Sequence, residues 1–105
     1  MFGKNNMQEM MAKLQEMQGA VSESKKRLEN IYVKGETEDG NVRFVLDGNR
    51  KLKEINIKDD AFNGDKDELI DDLITAFNKA IDDADHVNEN EMRNTAFNMF
   101  PGMGG

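Results

Sequence analysis

The acidic residues are the first places where chemistry could reside. From Asp59 to Ile70 the chain has the outline of a calcium loop, with Gly64 at the sixth position and Asp59, Asn63, Asp65 and Asp67 at ligand positions. Ala61 occupies another ligand position, and Ile70 stands where the bidentate glutamate has to be, so the stretch reads as a helix-capping loop. Asp82 and Asp83 precede the single histidine, His86, at a spacing that brings carboxylate and imidazole to one helix face. One such pair without further ligands holds a metal weakly, and His86 reads as a surface residue. The absence of cysteine removes disulfides, thiolate zinc sites and cysteine nucleophiles. With no nucleophile placed beside a histidine and no glycine-rich phosphate loop, the sequence predicts no enzyme, no metal and no small-molecule substrate.

What remains is electrostatic. Lys25, Lys26 and Arg27 are adjacent, Lys34 follows, and Arg50, Lys51 and Lys53 come later. The net charge of -7 is uneven: residues 1–34 carry 6 basic and 4 acidic side chains, residues 35–58 carry 5 of each, and residues 59–105 carry 3 and 12. An acidic chain is a poor prior for polyanion binding, so any contact with nucleic acid falls to the first half.

The elements that must position these groups are legible from periodicity. At 105 residues the chain is read as one domain, 1–105, able to bury roughly 65% of its unfolded surface. Met7, Met10, Leu14, Met17, Val21, Leu28 and Ile31 follow the a and d positions of a heptad, with Ser24 interrupting the series. A helix over this stretch spans about 37 Å, more than so small a domain can cover. Met7, Met10, Leu14, Met17 and Val21 are therefore expected to meet a second chain in a homodimer. Gly19 marks a bend or a close backbone approach.

After Ile31 the period becomes alternating, with Asp39-Gly40 and Gly48-Asn49 as turn signals between three strands of an antiparallel meander. Val42, Phe44 and Leu46 form an apolar face that needs a helix cover, and Ile55 and Ile57 belong to the third strand. Leu52 is out of phase, so either the strand starts after it or a bulge shifts the register. Asp65 and Glu68 cap a second amphipathic helix, which carries Leu69 to Ala84 and continues toward Thr95. A Gly-rich tail, about 98–105, reads as frayed. No apolar run is long enough for a membrane span or a secretory signal, and the expected location is the cytoplasm.

The opening Met1-Phe2-Gly3-Lys4, the Met/Gln-rich stretch Met7–Gln18, the segment Gly48-Asn49-Arg50-Lys51-Leu52, Asp67 to Leu73, Ala76 to Ala80 and the closing Pro101-Gly102-Met103 occur in an order that resembles the YbaB/EbfC family of bacterial nucleoid-associated proteins. The resemblance covers essentially the whole chain. It implies an α+β homodimer with helices projecting like tweezer arms, binding duplex DNA at the nucleoid without enzymatic activity or cofactor. By position, the basic residues carried over for DNA contact are Lys4, Lys13, Lys25, Lys26 and Arg27, with Arg93 near the other arm, and the charge pattern adds Lys34. This sequence departs from the family by placing Asp82, Asp83 and Asp85 where members often carry basic residues. The alternative is accordingly a protein-interaction or scaffold dimer that uses its acidic surface and binds DNA weakly or not at all.

Overall fold

A computed structural model describes residues 4–99, with side chains from Asn6 onward. The heptad series winds into α1 (Lys4–Glu29), ending two residues before Ile31. Its last carbonyls are taken by the following loop and by a sheet turn: Ile31 N donates to Leu28 O at 3.2 Å, and Gly48 N bonds both Leu28 O and Ile31 O at 2.9 Å. Basic Lys26 and Arg27 in the last turn also suit the negative end of the helix dipole.

Ser24, which interrupts the seam in sequence, is fully buried, and its hydroxyl is hydrogen-bonded to that of Thr95 in the second long helix. The seam is therefore divided. Ser24 and Leu28 are buried within the chain, whereas Met7, Met10, Leu14, Met17 and Val21 remain exposed. Among the described residues, no atom beyond the neighbouring helix backbone lies within 4 Å of where a Cβ on Gly19 would stand, so the close backbone approach expected there does not occur.

Three strands follow, β1 (Tyr32–Glu36), β2 (Val42–Asp47) and β3 (Leu52–Ile57), in the antiparallel order β1-β2-β3. The Leu52 ambiguity resolves as a bulge: Val45 pairs with Glu54 but Leu46 with Leu52, which leaves Lys53 as the extra residue. In the first turn Gly40 takes a positive φ of 74°, while Asp39 accepts from the Thr37 hydroxyl at 2.6 Å and from Asn41 N at 3.0 Å. In the second turn buried Asp47 accepts from Asn49 N at 2.8 Å and Lys51 N at 3.0 Å. The left-handed residue there is Arg50, at φ 68°, and neither Gly48 nor Asn49 takes that conformation. Gly48 is needed for space instead, since a Cβ would come within 2.7 Å of Leu28 Cδ2.

A 3-10 turn (Asp59–Phe62) leads to α2 (Lys66–Met99), whose first turn is capped by Asp65 accepting from Glu68 N at 2.7 Å. The helix passes Thr95 and includes residues 98 and 99 of the expected tail; the rest of that tail, 100–105, lies outside the described residues. α2 lies across β1 and β2. Ala76, Ala80 and Ala84, spaced by one turn and fully buried, let its backbone settle onto the sheet. A Cβ on Gly35 would fall 2.2 Å from both Ala76 O and Ala80 N, so β1 and α2 touch backbone to backbone. Beyond them Phe77 meets Phe44 of β2 edge to face, with ring centroids 5.5 Å apart.

One helix about 10 Å wide spans roughly two strands set 4.8 Å apart, so most of the third strand is left without cover and only its Ile57 end packs against the core. Leu52 and Ile55 of β3 are each 49% exposed, and Ile70, Ile74 and Phe77 of α2 are exposed as well. At the other end α1 overshoots. Ser24 lies against Thr95, and α2 continues only four residues further, whereas α1 runs twenty residues back to Lys4, about 30 Å. The molecule is 72 Å long with a radius of gyration of 20.4 Å, against about 13 Å for a compact chain of this length. It exposes 7811 Å², where a compact monomer of this mass would expose roughly 5,900 Å².

Candidate nucleic-acid interface

The basic residues converge where the end of α1 meets the β2–β3 turn. Asn49 Nδ2 donates to Lys25 O at 2.9 Å, pinning that turn under the last turns of α1, and Asn88 Nδ2 holds the other side by donating to Gly48 O at 3.0 Å. This clamp brings the β2–β3 turn, which ends at exposed Lys51, against the segment of α1 that carries exposed Lys25 and Lys26. Lys51 was not among the residues carried over for DNA contact. Its signal in the sequence was only a run of basic residues after a turn, and the Asn49 bond that docks the turn on α1 is invisible to periodicity.

The remaining positions differ in how free they are. Arg27 is bound by Glu91 of α2, with Nε at 2.7 Å and Nη2 at 2.6 Å from Oε1, and it also donates to Ser24 Oγ at 3.1 Å. It serves the α1–α2 contact first. Lys13 donates to Met99 O at 3.4 Å and lies 3.9 Å from Glu16. Lys34 is exposed on β1 but lines a depression with Asp82 and Asp83. Arg93 is exposed on α2, and the side chain of Lys4 lies outside the described ones. Arg50 forms an ion pair with Asp85, and Lys53 Nζ stands 3.7 Å from buried Asp47 Oδ2. The acidic run on α2 is thus partly engaged: Asp85 is paired, while Asp82 and Asp83 are exposed.

The Asp59–Ile70 segment forms the 3-10 turn and the α2 cap, and His86 is exposed. Among the described residues no cluster of three or more His, Asp or Glu side chains could hold a metal ion, and no helix is long and apolar enough to cross a membrane.

The family model described as the YbaB/EbfC DNA-binding family matches residues 3–99, and the chain belongs to that family. A nucleoid-associated protein of Flavobacterium johnsoniae is 40% identical over 83 residues, which cover 79% of this chain and 77% of the relative. Proteins of the same name are 34% identical in Ruminiclostridium cellulolyticum, covering 87% of this chain and 79% of the relative, and 33% identical in Chlorobaculum parvum, covering 90% and 84%. Among solved structures, an uncharacterized protein of Helicobacter pylori matches with a TM-score of 0.63 and 25% identity, over 83% of this chain and 98% of its own.

Proposed function

We propose that this protein is a nucleoid-associated protein of the bacterial cytoplasm that binds duplex DNA as a homodimer, without catalysis and with little sequence specificity. Family membership carries the DNA-binding part of this reading, and the Lys25, Lys26 and Lys51 ledge supports its location. Point charges on flexible stems contact phosphates without reading base edges. Lys4, Lys13, Lys34 and Arg93 supply further charges for phosphate contact. Arg27 keeps the two helices in register beside it.

The homodimer contact is placed at the open inner face of β3 and the exposed Ile70, Ile74 and Phe77 of α2, instead of at the Met7, Met10, Leu14, Met17 and Val21 seam that the sequence suggests. A two-fold copy satisfies both halves at once, because each subunit has one helix flank lacking a sheet and one strand lacking a helix. The dimer doubles the basic ledge.

Replacing Lys25, Lys26 and Lys51 together by glutamate should abolish the mobility shift of a labelled duplex at low salt while leaving the melting temperature unchanged. Neutralising exposed Asp82 and Asp83 to asparagine should strengthen the shift. A shift that survives the triple change, or a protein that retains basic partners but no DNA at any salt, favours the scaffold reading.

A further inference from the structure

We propose that the exposed part of the α1 seam, Met7, Met10, Leu14, Met17 and Val21, is a second self-association face, through which two dimers pair arm to arm. The inference rests on the dimer placed above at β3 and α2, which leaves this seam uncovered. Met7, Met10 and Leu14 are 66%, 67% and 56% exposed, and Met11 beside them is 59% exposed. A contiguous apolar stripe of this kind marks an interaction site on a soluble protein.

Three observations identify the occupant as another copy of α1. The stripe is the continuation of the a and d positions that already pack within the chain at Ser24 and Leu28, so its spacing suits a helical partner with the same repeat. The arm projects past the last described turn of α2 and needs a partner of comparable length. Charge permits it: residues 4–21 carry two basic and two acidic side chains, outside the acidic C-terminal half. Glu9 and Glu16 share a heptad position on the side away from the seam. Two arms meet without the repulsion that two acidic bodies would feel.

Two different two-fold faces on one chain generate a closed tetramer, or an open chain if the axes do not close. In either case basic ledges from separate dimers are held on one assembly, which lets it engage two duplexes.

Sedimentation at tens of micromolar protein tests this. The wild type should run at four times the 11.9 kDa chain mass, or at higher multiples if the two faces do not close. Leu14→Glu should halve that mass with an unchanged melting temperature, because Leu14 is exposed in the single chain. Ile74→Glu should also halve it, and the double variant should be a single chain. A wild type of twice the chain mass that is unaffected by Leu14→Glu overturns the proposal. So does a Leu14→Glu variant that falls to single chains, which would make the seam the dimer contact itself. A wild type of twice the chain mass that Leu14→Glu merely destabilises gives the seam to another segment of the same dimer and also overturns it. If Ile74→Glu leaves the tetramer whole, the β3 and α2 dimer fails while the arm contact stands.

Discussion

Arg50 holds the left-handed position of the β2–β3 turn and an ion pair with Asp85. The left-handed backbone costs a residue with a Cβ about 1 kcal/mol or more, and a half-exposed ion pair returns about 1 kcal/mol or less. The two effects nearly cancel. Arg50→Gly should therefore leave the melting temperature within about 4 °C of wild type, and by releasing Asp85 beside the ledge it should weaken the DNA shift. A large loss of stability would show that the pair with Asp85 matters more than its exposure allows. Asp39 acts on the other turn, where the Thr37 hydroxyl bond first, and then the Asn41 backbone, hold its carboxyl below the usual 3.8. A carboxyl lowered in the folded state stabilises it above the unfolded pKa and ceases to do so as pH falls through the folded one. The stability gap between wild type and Asp39→Ala in urea titrations should be constant near neutrality and shrink as the solution is acidified below that value.

At the level of elements, the backbone contact of β1 with α2 sets the spacing of the whole core. A methyl group on Gly35 would need room that Ala76 O and Ala80 N occupy at 2.2 Å, and neither is a side chain that can swing away. Gly35→Ala should cost about 3 kcal/mol, at the upper end for overpacking, read as a fall in the urea midpoint; a neutral result would mean that α2 rides higher on the sheet. The order of elements was legible because α1, β2 and α2 each repeat their apolar residues at one period. Gly35 was not, because its role depends on a helix forty residues away. Ser24 looked like a flaw in the heptad because periodicity cannot show that Thr95 awaits it. The α2 terminus was read short because no strong breaker marks Thr95, and the helix continues through Ala96 and Phe97 to Met99. The basic cluster was legible as composition but not as a surface. Arg27 looked equivalent to Lys25 and Lys26 until Glu91 was found against it.

At the scale of the molecule, an acidic chain has to bind a polyanion, which places the account's central claim in the salt dependence of binding. If the proposed dimer engages two or three phosphates per subunit, the slope of log affinity against log salt is roughly -4 to -5. Titrating the wild-type protein on a labelled duplex across a salt series, with a second duplex of unrelated sequence in parallel, measures both charge and specificity. That slope is expected on both duplexes, with binding falling steeply between low and physiological salt. A slope near zero, or tight binding confined to one of the two sequences, would contradict it.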